Sequence, residues 1–251
     1  MDWILGIALF LGSTLANTLA ALSGGGAGLL QFPLLLFLDL PFGVALATHK
    51  VASVALGLGA ALTHIRRGSL ELKLALYLIV AGSLGVVIGA NLILLLPDAI
   101  AEKMLGVMIL ALGLYSRFKK DLGLQPELKN RNFTGLLLGG FGLAFIGIIN
   151  GSLTAGSGLL VTLFLVRWFG YSYKQSVALT LVCVGLFWNG IGGIAVVLAG
   201  APVYWPWLPI LLLGSLIGGA LGASLSQKSS NRMVKIAFEL LTFAAGLKLL
   251  L

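Results

Sequence analysis

From near Trp3 to Leu38 the chain is an apolar run with one break, Ser23-Gly24-Gly25-Gly26-Ala27-Gly28-Leu29-Leu30-Gln31-Phe32-Pro33. In water such a glycine cluster reads as a surface loop. Here both flanks are greasy enough to lie in lipid, so the break belongs in or near the bilayer. Glycine frees the backbone from helical geometry and lets other groups approach closely. Non-helical backbone at membrane depth is tolerated only where protein buries it or a polar cavity adjoins it. The break is therefore the first candidate for a working site. A weaker copy, Asn150-Gly151-Ser152-Leu153-Thr154-Ala155-Gly156-Ser157-Gly158-Leu159-Leu160, recurs 130 residues later, where Gly156-x-Gly158-Leu159-Leu160 answers Gly26-x-Gly28-Leu29-Leu30.

Composition settles the solvent. Of 251 residues 59% are apolar and 10% charged, and mean hydropathy is +1.08. A soluble domain carries about 25% charged residues, so this chain cannot cover itself with polar surface and must be a polytopic membrane protein. The net charge of +8 does not point to nucleic acid, because the basic residues fall in short loops between apolar spans, where they set orientation. Cys183 is the one cysteine, which excludes an internal disulfide, a CxxC pair or a thiolate metal cluster. Met1-Asp2-Trp3 offers no basic leader, so the first apolar segment is expected to remain as a span.

Ten apolar segments follow, at about 3–22, 27–38, 43–64, 72–96, 98–116, 133–150, 157–169, 173–199, 204–225 and 232–251. A straight span needs about 20 residues. The second and seventh have about 12 or 13, roughly 18–20 Å of helix, and each follows a glycine break. Both are expected to be re-entrant half-helices or halves of broken helices. Arg66, Arg67, Lys73, Arg117, Lys119, Lys120, Lys129, Arg131, Arg167, Lys174, Lys228, Arg232 and Lys235 are assignable to one side, which the positive-inside rule makes cytoplasmic. Both termini then face out.

Five segments before the polar stretch 117–132 and five after it make an odd number per half, so a second copy must be inverted. The matching loops change sign as inversion requires: Asp39 answers to Arg167 and Lys174, and Asp98 with Glu102 answers to Lys228 and Arg232. Gly82-Ser83-Leu84-Gly85 in the fourth segment resembles Gly214-Ser215-Leu216-Ile217-Gly218 in the ninth, and these spaced glycines read as helix packing in lipid. The expected fold is an all-α polytopic membrane protein of two inverted five-segment repeats with glycine-broken or re-entrant short helices. Residues 1–116 form one repeat, 117–132 a cytoplasmic linker and 133–251 the second.

Inverted repeats with paired broken helices place a transporter's site near the midplane between the breaks. Helix N-termini carry unpaired amides and partial positive charge, so two of them facing one cavity make an anion site. Gly24, Gly25, Gly26, Gly28, Gly156 and Gly158 would supply amides. Ser23, Gln31, Asn150, Ser152, Thr154 and Ser157 would supply side-chain donors, although a hydroxyl can instead bond back to its own helix. Thr48, His49 and Lys50 sit in the third segment, with Thr180 and Asn189 in the equivalent eighth. Ionisable groups inside spans are costly and mark function. Lys50 lies 16 residues before Arg66, about 24 Å of helix, so snorkelling to the outer interface is the competing reading. Glu239, four residues after Lys235, reads as a helix ion pair.

Catalysis finds little support. Ala155-Gly156-Ser157-Gly158 departs from the GxSG motif of intramembrane serine proteases at its first position. No zinc or phosphate-binding motif is present. No catalytic residue, metal or cofactor is expected.

The chain resembles the TauE/SafE family of sulfite exporters and sulfonate permeases over nearly its whole length. The resemblance rests on Gly24-Gly25-Gly26-x-Gly28 before Pro33, on Ala45-x-Ala47-Thr48-x-Lys50, on His64-x-x-x-Gly68 and on the second glycine-rich turn. It implies a transporter of sulfite, thiosulfate, sulfonates or related small anions in a bacterial or archaeal cytoplasmic membrane. The expected partners are a small anionic substrate and the lipid bilayer, with a homo-oligomer left open and no nucleic acid. A passive anion channel and a non-transporting membrane partner protein are the alternatives.

Overall fold

The computed structural model describes residues 3–24, 28, 30–65, 71–118, 126–154 and 156–250. Gly25, Gly26, Arg66 and Arg67 fall outside them. The described residues form eleven α-helices: α1 (Trp3–Ser23), α2 (Gln31–Phe37), α3 (Phe42–Ile65), α4 (Leu72–Ile93), α5 (Asp98–Phe118), α6 (Phe133–Ser152), α7 (Ser157–Trp168), α8 (Tyr173–Val182), α9 (Asn189–Leu198), α10 (Leu208–Lys228) and α11 (Asn231–Leu250). A π-helical stretch, Cys183–Trp188, joins α8 to α9, so the expected eighth segment is one span with a wide turn in its middle. Seven helices, counting Tyr173–Leu198 as one, are long and apolar enough to cross a membrane. The chain is a multi-pass, all-helical membrane protein, as lipid demands of a backbone that must satisfy its own polar groups.

Local signals set several helix starts. The Asn132 side chain accepts from the Gly135 amide at 2.9 Å to open α6, and Ser172 with Gln175 forms a reciprocal capping box at α8. The second segment is shorter than expected. Its helix begins at Gln31, not 27, and has seven residues with Pro33 at the third.

Helices from the two ends of the chain pack side by side. On α1, Ser13 donates to the Leu211 carbonyl at 3.2 Å and Asn17 to Ser215 at 3.2 Å, so α1 and α10 run in the same direction. Tyr77 donates to the Leu136 carbonyl at 2.6 Å, and Gly82 and Val86 face Gly147 and Gly151, so α4 and α6 do likewise. Both seams are lined with small residues. A Cβ on Gly218 would come within 2.6 Å of the Thr14 carbonyl, and one on Gly85 would strike the Ala144 carbonyl. The glycines expected to serve packing do so. Large apolar side chains such as Leu76, Leu84, Phe141 and Leu221 face outward, where lipid covers them.

One end of the bundle gathers the basic segments. Lys174 donates to the Gln227 carbonyl at 2.7 Å, and the Gln227 amide donates to His64 Nδ1 at 2.6 Å. These bonds bring the ends of α3 and α10 to the start of α8. Glu71, just before α4, bonds Tyr171 and pairs with Arg131. Lys235 pairs with Glu239 at 2.6 Å and donates to the Ser116 carbonyl at 2.8 Å. At the opposite end, the Tyr204 amide donates to Thr48 Oγ1 at 2.8 Å.

Candidate functional site

The site is built around α3, the most enclosed of the spans. Lys50 lies eight residues into it, about 12 Å from its start, and is wholly buried. It does not snorkel. Its ammonium nitrogen donates to the Asn150 carbonyl at 2.8 Å, to Thr154 Oγ1 at 3.3 Å and to Asn150 Oδ1 at 3.4 Å. An ammonium has three protons to give, and it meets three neutral oxygens. Among the described residues the acidic partners in ion pairs are Glu71 and Glu239, neither of them with Lys50.

The second glycine break supplies those oxygens. Thr154 and Gly156 both adopt left-handed backbone, with φ of 54° and 82°. Glycine takes this conformation freely and threonine at a cost. The turn ends α6 at Ser152 and starts α7 at Ser157, and no side chain caps α7. Asn150 is the hinge of the cluster. Its carbonyl and amide oxygens face Lys50, while its Nδ2 donates to Ser157 Oγ at 2.9 Å and to Asn189 Oδ1 at 3.2 Å. The Ser157 hydroxyl donates to the Thr154 carbonyl at 2.5 Å. Lys50, Asn150, Thr154, Ser157 and Asn189, expected from sequence, thus come together from α3, α6, α7 and α9.

His49, the preceding residue, points elsewhere. Gln31, at the start of α2, donates through Nε2 to Ser13 Oγ and Ser215 Oγ, each at 2.8 Å. Its Oε1 therefore accepts from His49 Nδ1 at 2.9 Å. Asn17 donates to the Ser13 carbonyl at 2.7 Å and to the Ser13 and Ser215 hydroxyls at 3.3 and 3.2 Å. All five side chains are completely buried.

A third contact touches the first break. Thr162, on α7, lies 3.1 Å from the Gly24 carbonyl and 3.0 Å from Thr180 Oγ1. The Thr162 hydroxyl is the donor toward both oxygens and shares its one proton between them. Gly24, at the start of the first break, therefore lies against the flank of α7.

The remaining expected residues are placed otherwise. Thr48 anchors the turn before α10 through the Tyr204 amide. The Ser23 and Ser152 hydroxyls bond back to the Ala20 and Ile148 carbonyls, at 3.1 and 2.8 Å. Gly28 and Gly158 are buried. Gly25 and Gly26 lie outside the described residues. With seven residues, α2 offers at most a short dipole, so the two breaks are not equal partners. Ser13, Asn17, Ser215 and Thr162 were not singled out in the sequence. Ser13 and Asn17 stand four apart on an otherwise apolar helix, which was a usable signal. Ser215 was hidden inside a glycine packing motif.

Several bacterial proteins are similar to the chain over nearly its whole length. The chain is similar to a probable membrane transporter protein of Haemophilus influenzae, 28% identical over 96% of this chain and 92% of that one. It is also similar to the Escherichia coli probable membrane transporter protein YfcA, 25% identical over 98% and 90% of the two chains. The probable membrane transporter protein YjnA of Bacillus subtilis is 24% identical over 97% and 99%. No solved structure matches the chain. Residues 9–249 match the family described as sulfite exporter TauE/SafE, and the chain belongs to that family.

Proposed function

We propose that the protein is a secondary transporter of small sulfur-containing anions, of the sulfite, thiosulfate or sulfonate class. The observation that carries this reading is Lys50: a cation inside the bundle, held among the described residues by neutral oxygens, beside the uncapped N-terminus of a twelve-residue helix. A small oxyanion supplies the negative charge this arrangement lacks. The bond to the Asn150 carbonyl is short, while those to Thr154 Oγ1 and Asn150 Oδ1 are long enough to be exchanged for anion oxygens. Amides at the N-terminus of α7 add further donors, beside a network in which Asn150 Nδ2 and the Ser157 hydroxyl are already engaged. The description of the family supplies the sulfur chemistry.

The carrier works by alternating access of two inverted halves. The matched pairing of α1 with α10 and α4 with α6 supports this, because exchanging first with sixth and fourth with ninth segments turns one pair into the other. Enclosure of the whole Lys50 cluster favours a carrier over an open channel. The basic end of the bundle faces the cytoplasm of a bacterial or archaeal cell and both termini face out. The test is a thermal-shift panel of sulfite, thiosulfate, sulfoacetate and taurine on purified protein, followed by counterflow in liposomes. A bound anion raises stability, and saturable counterflow is expected. Absence of both for every anion overturns the reading.

A further inference from the structure

The network around His49 does no work for an anion held at Lys50. It contains five fully buried polar side chains from α1, α2, α3 and α10, and its hydrogen bonds can be assigned. Both Gln31 Nε2 protons go to hydroxyls, so Gln31 Oε1 must accept and His49 Nδ1 must carry a proton. In the neutral ring Nε2 is then a bare acceptor. It has no hydrogen-bond partner among the described residues, and neither has Asn17 Oδ1 in the same network. A buried acceptor without a donor is costly. Adding a proton to Nε2 changes nothing else, because the bond to Gln31 is made by Nδ1 in either state.

The charges around the ring are few. On α2 it meets Gln31 and the Phe32 ring (centroids 5.7 Å apart), and through Gln31 it joins Ser13 and Asn17 of α1 and Ser215 of α10. None of these titrates near neutral pH. The nearest charged group is Lys50, the next residue of the same helix, whose nitrogen faces α6 and α7 instead. Two cations on adjacent residues of an enclosed helix repel each other strongly at low dielectric. An anion beside Lys50 cancels that repulsion.

We propose that His49 Nε2 is the proton-binding site of the transporter, which takes up a proton when an anion occupies the Lys50 site and releases it when the anion leaves. Anion and proton then cross together. By linkage each favours the other's binding. The proposal rests on the anion site at Lys50. It assigns the two residues separate tasks, anion at Lys50 and proton at His49, on different faces of one helix.

The chain has two histidines, so nitrogen-15 histidine spectra of the whole protein, with a His64→Gln chain for assignment, report His49 directly. Thiosulfate is the probe, because it does not titrate near neutral pH. Without it His49 should show the neutral Nδ1–H tautomer; with it, imidazolium. Calorimetry in buffers of different ionisation heat should show proton uptake on binding, with affinity falling about tenfold per pH unit where uptake is complete. His49→Gln should bind thiosulfate without uptake. Binding that leaves His49 neutral, or uptake that persists in His49→Gln, overturns the coupling role and leaves the anion site standing. If neither thiosulfate nor any other sulfur anion binds, the anion site and the coupling fall together. The spectra need no His49 variant, so the test survives a His49→Gln chain that does not fold.

Discussion

Lys50 concentrates the energetic problem of the molecule in one atom. Burying an ammonium costs several kcal/mol unless partners replace its water, and here the replacements are a backbone carbonyl, an amide oxygen and a hydroxyl. A chain tolerates that expense where the charge has a task. Lys50→Met keeps the length of the side chain and removes the charge, so the fold should be retained or become more stable. Anion binding should weaken by about tenfold to a hundredfold, the worth of one charged hydrogen bond. Lys50→Arg should also fail, because a planar guanidinium does not fit oxygens arranged for a tetrahedral donor. Isothermal calorimetry with thiosulfate, beside the melting temperature of each variant, measures the two effects separately. Unchanged affinity in Lys50→Met removes Lys50 from the site.

At the scale of helices, small residues decide which elements touch. Gly218 lets α10 approach the backbone of α1, with no room for a Cβ beside the Thr14 carbonyl. Gly218→Ala should therefore force the seam apart and cost about 1–3 kcal/mol, the usual range for overpacking, seen as a lower melting temperature in detergent. The other element-level prediction concerns the strap at the basic end of the bundle. Backbone bonds from Glu127 and Lys129 to Gly170 and Phe169, at 2.9 and 3.1 Å, tie the segment before α6 to the turn before α8. Glu71 receives Tyr171 and Arg131 from the two sides of that tie. The Tyr171 hydroxyl, helped by Arg131, holds the Glu71 carboxyl below its ordinary range; burial and the Glu71 contact push Tyr171 up. A depressed carboxyl adds stability above its unfolded pKa of about 4.3 and loses it as pH falls through the folded value. Glu71→Gln should thus melt slightly lower than the parent at pH 7, and the gap should close on acidification below about pH 4. The effect is modest, because both side chains of the ion pair are about two-fifths exposed. Much of this level was legible in the sequence: the apolar segments gave the helices within a few residues, and the spaced glycines gave the seams. The start of α2 was missed because Ala27, Leu29 and Leu30 look helical in isolation. The hydroxyls could not be divided between site and helix for a different reason. Whether Ser152 or Ser157 faces a neighbour depends on helix phase after a left-handed turn, which spacing in the sequence does not fix.

Taken whole, the molecule is a bundle whose one end collects most of the described basic residues and whose interior holds two polar clusters on different faces of α3. Such a division makes sense if the halves tilt about α3, which keeps the Lys50 cluster enclosed while access changes sides. The π-helical stretch Cys183–Trp188 would give the proposed motion a place. It lies against α3 where Gly57 and Gly185 meet, and the Trp188 indole donates to the Leu78 carbonyl at 3.1 Å. Wide turns of this kind concentrate at functional sites in helices. The proposed upside-down relation of the halves makes a prediction independent of substrate. Cys183, the one native cysteine, is buried, so cysteines introduced at exposed turns can be labelled against a low background. Asp39→Cys and Pro202→Cys should react with an impermeant maleimide from outside intact cells. Lys129→Cys and Lys228→Cys should react only after the membrane is opened. Labelling of Pro202→Cys and Lys228→Cys from one side would mean that α10 does not cross, and a half with one crossing fewer cannot be the inverted copy of the other.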